Sequence, residues 1–444
     1  MRPWTLILGL AACAASFPSM DNGHHMGIHN HRKMEKRCPM AEMQEEFQRL
    51  IAEKKHDKRF LFDSMDKPID ITGEHAFQPP NFENGDQRGP CPGLNALANH
   101  GYIPRSGIAP VCLSILLLNM YGMGVDLALI LAIMGTVWTG NPLSINPGFS
   151  IGGRDTGSNN ILNNGLGLLG EPQGLRGSHN FIESDSSNTR DDLYVTGNAW
   201  TMNMTLFQEW YEMSEDGTFS MDLMGERAAI RFAQTKASNP DFYYGPVTGF
   251  LARNAGYVFP ARLFRNHSTE LPEGVLTKEI VRNFYGVYGD EGNLTYREGW
   301  ERIPENWYKT PVDWGLLNLN VDLLGWAIKH PELASIGGNT GTVNSFTGLD
   351  LSDITGGVLN ITTLLQDNNL LCFIFEVLKF LSPNALAGIY KTLAIPLELI
   401  TDALATPLLD LACPAFKDMQ VGGQPLWEAL EELFPGALKS ASVL

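Results

Sequence analysis

The feature that most constrains this chain is a cysteine held between two prolines at the head of an apolar run, in QRGPCPGLNALANHGYIPRSG from Gln87. A proline suits the first helical position, because the N–H it lacks is one that the first turn would not use. The stretch therefore predicts a helix beginning at Pro92 with Cys91 as its N-cap. There the sulfur faces the free N–H groups of Gly93 and Leu94 and the positive end of the helix dipole, which favour thiolate over thiol. Such a position suits an anion. A half-disulfide and a buried thiol near a turn are the bland alternatives, and the flanking residues have to decide among the three.

With 444 residues and 44% hydrophobic content, the chain buries a large core without a disulfide scaffold. Residues 1–16, MRPWTLILGLAACAAS, combine an early arginine, a short apolar run and small residues, the pattern of a cleaved secretory signal. Sequons at Asn203, Asn266, Asn293 and Asn360 agree with glycosylation and with a secreted, extracellular protein. The apolar stretch from Leu113 is interrupted by Asp126 and by glycines, so it predicts two buried helices and no membrane anchor. Residues 1–60 hold 10 Lys and Arg against 7 Asp and Glu, which leaves 22 basic and 42 acidic residues in the body. That acidic body repels phosphate and excludes a nucleic-acid partner.

Residues 17–59 contain the histidine-bearing NGHHMGIHNHRKM and the dibasic pairs Lys36-Arg37 and Lys58-Arg59, and they read as a propeptide or solvated leader. Residues 60–444 form one body in which helical periodicity dominates. In SMDLMGERAAIRFAQTK, Met221, Met224, Ala228 and Phe232 share a face after the candidate cap Ser220, and Pro240 marks the stop. Further helices are expected over 247–258, 278–288, 314–329, 364–380 and 383–404, with a long loop at 152–170. The fold class is mainly α, with few short strands. Beyond the leader, the cysteines are Cys91, Cys112, Cys372 and Cys413. Cys372 with Cys413 is the expected disulfide, which leaves Cys91 for chemistry and Cys112 as a buried thiol. A Cys91–Cys112 bridge is the opposite pairing.

The 33 residues from His75 to Gly107 carry Arg-Gly, then Pro-Cys-Pro-Gly-Leu-Asn, then His-Gly-Tyr-Ile-Pro-Arg. This block resembles the proximal haem segment of the fungal haem-thiolate peroxidases, the family of chloroperoxidase and the unspecific peroxygenases. The resemblance implies a single-domain, multi-helix chloroperoxidase-like fold, thiolate-ligated haem b, and Cys91 as its axial iron ligand. Thiolate ligation pushes electron density onto iron and favours O–O cleavage.

A second block, SHNFIESDSSNTRDD from Ser178, resembles the same family's cation motif. It implies a Mg2+ or Mn2+ site formed by the Glu183 carboxylate, the Ser184 carbonyl and the Ser187 hydroxyl, oxygen donors of the kind hard cations take. Read without the resemblance, the same polar cluster is a solvated turn or helix cap. Ser184 stands where the family usually carries glycine or histidine. Asp185 and Arg190 are expected to be structural.

The third expected piece is a distal acid-base glutamate seven residues after an arginine. Aligning SNPDFYYGPVTGFLARNAGYVFPARLF puts Val247 at the arginine and Asn254 at the glutamate. Val247, Leu251 and Asn254 at i, i+4 and i+7 share one face of a regular α-helix, which the resemblance would turn toward haem. An amide hydrogen-bonds peroxide but does not relay its proton. Asp241, Glu270 and Glu273 are then candidate substitutes for the missing acid. The expected function is a secreted peroxidase or peroxygenase that uses hydrogen peroxide to oxygenate, one-electron oxidise or halogenate a small organic substrate. The alternatives are a secreted haem-binding protein without peroxide turnover and a single-substrate tailoring oxidase of secondary metabolism.

Overall fold

The computed structural model of the chain describes residues 67–110, 120–140, 148–155, 173–349 and 420–443. The signal, the leader, Cys112, Cys372, Cys413, Asn360 and the helices expected over 364–380 and 383–404 lie outside these residues, as does most of the loop at 152–170.

Among the described residues, helices carry the architecture and the strands are two or three residues long. In chain order the elements are α1 (Pro92–Asn99), β1 (Ile108–Pro110), α2 (Val125–Met134), β2 (Gly148–Ser150), α3 (Met204–Glu212), α4 (Met221–Ser238) and β3 (Tyr243–Tyr244). They continue with α5 (Asn254–Leu263), α6 (Lys278–Phe284), β4 (Val287–Tyr288), β5 (Thr295–Tyr296) and α7 (Leu316–Lys329). The last are β6 (Gly337–Gly338), β7 (Thr347–Gly348), β8 (Gln420–Val421), β9 (Gln424–Pro425), α8 (Leu426–Leu433) and α9 (Pro435–Val443). All strand pairs are antiparallel: β1 with β2, β3 with β6 and β6 with β7, β4 with β5, and β8 with β9.

Local chemistry explains most boundaries. The Ser220 hydroxyl accepts from the Leu223 N–H at 3.1 Å and caps α4, whose Met224, Ala228 and Phe232 are buried as the periodicity predicts. Helix α6 ends at Phe284, short of the predicted 288, because Gly286 adopts φ +65° and turns the chain into β4. The segment before α5 departs further, since Thr248–Arg253 is a π-turn, with Ala252 N bonded to Val247 O at 2.8 Å.

The core around α1 is aromatic. Phe264 and Phe284 stack at 4.1 Å, Trp307 meets Phe284 edge-on at 5.5 Å, and the Trp307 indole donates to Phe264 O at 3.0 Å. Tyr121 completes the cluster and its hydroxyl donates to Gly93 O at 2.9 Å, so the apolar core holds the first turn of α1 directly. Each such buried ring contributes about 1.5–3 kcal/mol. The segment α8–α9 packs elsewhere: Phe434 lies against Tyr243, and the Asn180 amide donates to Gly436 O at 3.2 Å.

Candidate active site

Cys91 is the N-cap of α1 with Pro92 at the first helical position, as the sequence predicts. The bend before it is closed by Asn95, which accepts from Gly89 N at 3.0 Å and donates to Gly89 O at 2.9 Å. Gly89 has no room for a side chain, because a Cβ there would stand 1.9 Å from Ile151 O beside β2. Behind the bend, Arg88 donates through Nε (2.9 Å) and Nη2 (2.8 Å) to Asn99 Oδ1 and through Nη1 to Gln87 O (2.6 Å) and Arg105 O (2.9 Å). At the far end of α1, His100 Nδ1 donates to His75 O at 2.7 Å and its Nε2 accepts from Ile303 N at 3.1 Å. The Arg105 guanidinium covers Asn99 O at 2.5 Å and Glu74 O at 2.9 Å. The residues around the cysteine thus serve to fix where its sulfur points.

That sulfur lines a cavity of about 280 Å3. Most of the wall is apolar, with Leu127, Leu131, Met134, Ile182, Leu251 and Phe259 among its residues, while Glu183, Ser187, Asn188 and Arg190 form a polar stretch. Burial pushes the Cys91 thiol up, against the pull of the Leu94 and Gly93 N–H groups and the Arg190 charge. Among the described residues Cys91 is a free cysteine.

Three arginines and a tyrosine hold the loop that carries the polar stretch. Arg231 Nε donates to Ser187 O at 2.9 Å, and Arg227 donates to Asn188 Oδ1 at 3.2 Å and to Asn188 O at 3.3 Å. Arg253 donates to Ser186 O at 3.0 Å and to Ser186 Oγ at 2.8 Å, and the Tyr257 hydroxyl donates to Ser186 O at 2.8 Å. Ser186 is in the left-handed region at φ +64°, an uncommon conformation for serine that these bonds and Asp192, accepting from Ser186 N at 2.7 Å, stabilise together.

Within that loop Ser187 Oγ donates to Ser184 O at 3.0 Å, which brings two of the three expected cation ligands together. The third, Glu183, accepts from His179 Nδ1 at 2.5 Å through Oε2, while its Oε1 is buried without a hydrogen-bond partner. Burial alone would lower His179, but Glu183, Asp185 and Asp192 outweigh it and raise it to about 9. Asp185 Oδ2 accepts from Tyr243 N at 3.1 Å, a structural role as expected. His179 was not legible as a partner of Glu183, although its spacing of four residues is a signal.

The distal reading needs correction. Asn254 is buried but does not line the cavity. Its oxygen accepts from the Tyr244 hydroxyl at 2.8 Å and from Arg253 Nη1 at 3.0 Å, and its Nδ2 donates to Phe250 O and Leu333 O at 3.0 Å each. Val247 is likewise off the wall, and of the predicted trio only Leu251 lines it. The π-turn is the reason, because its wider turn breaks the i, i+4, i+7 face that an α-helix would present. Arg253 and Gly256 line the cavity instead, and a Cβ on Gly256 would meet nothing within 4 Å. Nor do Asp241, Glu270 or Glu273 reach it: Asp241 pairs with Lys439, and the other two are exposed. Glu183 is the one carboxylate on the wall among the described residues.

Of the sequons, Asn293 is exposed in the β4–β5 hairpin, whereas the amides of Asn203 and Asn266 are engaged within the fold, the former with Asp191 at 2.9 Å and the latter with Asn306 O at 3.2 Å. Among the described residues no helix is long and apolar enough to cross a membrane.

Comparison with known proteins places these features in context. The family model "Peroxidase, family 2" matches residues 75–312. The aromatic peroxidase fscJ of Fusarium equiseti is 53% identical over 99% of this chain and 100% of its own length. The dothistromin biosynthesis peroxidase dotB of Dothistroma septosporum is 42% identical over 80% of this chain and 84% of its own. An aromatic peroxygenase of Coprinellus radians is 32% identical over 46% of this chain and 75% of its own.

Proposed function

The chain belongs to peroxidase family 2, the fungal haem-thiolate peroxidases, and from that premise we propose that Cys91 ligates haem in a secreted enzyme that oxidises an apolar aromatic metabolite with hydrogen peroxide. Peroxide-dependent oxidation of an organic substrate follows from the family, and haem is implied with it. The observation that carries the residue assignment is the N-cap sulfur opening into an apolar cavity whose polar stretch bears three orphaned buried atoms: Arg190 Nε, Asn188 Nδ2 and Glu183 Oε1. Such a cavity fits a flat apolar macrocycle with carboxylate substituents.

Bound haem supplies the iron at which peroxide is activated. The protein's part is to hold and to exclude. Asn95, Arg88 and the Tyr121 hydroxyl fix the Cys91 bend and so hold in one direction the sulfur that would ligate haem iron. Arg190 and Asn188 supply donors for carboxylates. Glu183 Oε1, Ser184 O and Ser187 Oγ supply three oxygens for Mg2+ or Mn2+, with His179 fixing the other Glu183 oxygen. The apolar wall excludes water and orients an aromatic substrate. With Glu183 committed to that cation, no other carboxylate on the described wall is left to move the peroxide proton.

A single-substrate tailoring role is favoured over general peroxygenation by the similarity to a dothistromin biosynthesis peroxidase along four-fifths of the chain. Secretion rests on the signal-like residues 1–16, and N-terminal sequencing of the exported chain tests it. The test of the haem assignment is the ferrous carbon monoxide spectrum of the purified protein. Wild type gives the thiolate form and Cys91→His loses it; a spectrum unchanged in Cys91→His removes Cys91 as the ligand. Peroxide consumption without any oxidised aromatic product would overturn the substrate assignment.

A further inference from the structure

Behind α1 the fold buries a carboxyl outside the cavity that Cys91 lines. Glu301 lies in the segment after the β4–β5 hairpin, it is 0% exposed, and neither of its carboxylate oxygens has a hydrogen bond of good geometry, although the Asn95 side chain and the Glu301 N–H stand close enough to pull on them. The segment is bolted to α1, since Asn99 Nδ2 donates to both Gly299 O and Glu301 O at 2.7 Å, and Ile303 N donates to His100. The carboxyl stands beside Asn95, one helical turn from Cys91.

The charged and titratable groups around it come from four places. Arg88 arrives from the bend before α1, but it spends its donors on Asn99, Gln87 and Arg105. Arg190 arrives from the cation loop, where its Nη2 faces Pro90 O at 3.5 Å. Tyr288 and Tyr296 face it from β4 and β5, and Cys91 from the head of α1. A buried carboxyl that binds none of its cationic neighbours costs stability, so packing alone gives no reason for it. What the position offers is an electrostatic influence on the Cys91 sulfur through a medium of low polarity.

We propose that Glu301 is a positioning residue of the proximal site, whose carboxyl takes up and releases one proton and thereby sets how strongly the Cys91 sulfur donates to iron. The proposal rests on Cys91 being the haem ligand. Burial pushes the Glu301 carboxyl up to about 7, against the opposing pull of its own backbone N–H and of Arg190, Asn95 and Arg88, so the exchange falls in the neutral range. Ionised Glu301 adds negative charge near the sulfur and disfavours the reduced iron. Reduction by one electron from dithionite therefore favours proton uptake at Glu301.

The experiment is a spectroscopic reduction titration of the haem-loaded protein on both sides of pH 7, for wild type, Glu301→Gln and Glu301→Asp. In wild type the midpoint potential falls as pH rises through about 7. Glu301→Gln matches wild type at acid pH, lacks the step, and stays above wild type at alkaline pH. Glu301→Asp keeps a step at a shifted pH. Parallel wild-type and Glu301→Gln curves, in proteins that retain the thiolate-type carbon monoxide spectrum, overturn the role of Glu301 alone; loss of that spectrum in wild type overturns the Cys91 reading and the proposal with it. If Glu301→Gln takes up no haem, reduction-induced infrared spectra of wild type decide. A protonated-carboxyl band gained on reduction, and displaced in Glu301→Asp, supports the proposal, and no such band overturns it.

Discussion

Arg253 and Ser186, 67 positions apart, are joined by two hydrogen bonds, from Nε to the serine carbonyl at 3.0 Å and from Nη2 to its hydroxyl at 2.8 Å. The pair ties the helix before Phe259 to the loop that presents Glu183, Ser184 and Ser187. Arg253→Met removes both bonds and leaves buried acceptors, at a cost of about 2–4 kcal/mol. The expected outcome is a lower denaturant midpoint and weaker Mn2+ binding, read by electron paramagnetic resonance of added Mn2+. Unchanged Mn2+ affinity in a destabilised Arg253→Met would show that this loop is not the cation site.

Gly89 approaches Ile151 O more closely than any side chain permits, with only 1.9 Å from a built Cβ to that oxygen. Gly89→Ala therefore has to displace either the β1–β2 hairpin or the Cys91 bend. Because β1 and β2 are paired over three residues, the bend is expected to move. Haem incorporation, measured as the ratio of haem to protein absorbance, is expected to fall severalfold while helical circular dichroism is kept.

The acid-base question divides between Asn254 and Gly256. Asn254 has each of its polar atoms bonded, and Asn254→Glu would set a carboxylate against the carbonyls of Phe250 and Leu333. A loss of about 2–5 kcal/mol of stability, with no gain in activity, is expected. Gly256→Glu instead places a carboxyl in open cavity space, on a helix that tolerates the change, and supplies the missing base. Peroxide-dependent turnover is expected to rise by up to about 10²-fold, the lower end of what a positioned general base contributes. A more active Asn254→Glu beside an inert Gly256→Glu would reverse this assignment.

Acid weakens the fold at His100. Burial holds its folded-state pKa below the unfolded value of 6.5, and its Nε2 is an acceptor from Ile303 N, which only neutral imidazole allows. On acidification the unfolded chain takes up the proton first. The stabilising contribution is therefore complete above pH 6.5 and is lost as pH falls below it. Thermal midpoints of wild type are expected to drop over that range, and those of His100→Gln to drop less.

Much of the site was legible because its determinants are local. Proline before and after Cys91 sets backbone angles whatever surrounds them, so the N-cap position of the sulfur was available from six residues. The cap of α4 at Ser220 and its stop before Pro240 are legible for the same reason. Glu183, Ser184 and Ser187, the expected cation ligands, lie within five residues of one another, and the approach of Ser187 to Ser184 is a property of one loop.

The distal wall was misplaced because periodicity assumes a regular helix, and nothing in TGFLAR marks the π-turn that rotates Asn254 toward Tyr244 and Gly256 into the cavity. Nothing in the sequence marks Arg227, Arg231 and Arg253 as interior, yet the fold buries all three against loop carbonyls. Glu301 carried no signal at all, since its significance lies in being enclosed behind a helix more than 200 residues earlier. The chain alone thus determined the N-cap position of Cys91 and the family, which depend on backbone geometry and motif over a few residues. Tertiary structure decided which side chains face the cavity and which charges are buried beside the sulfur, because burial and dielectric environment are set by segments distant in sequence.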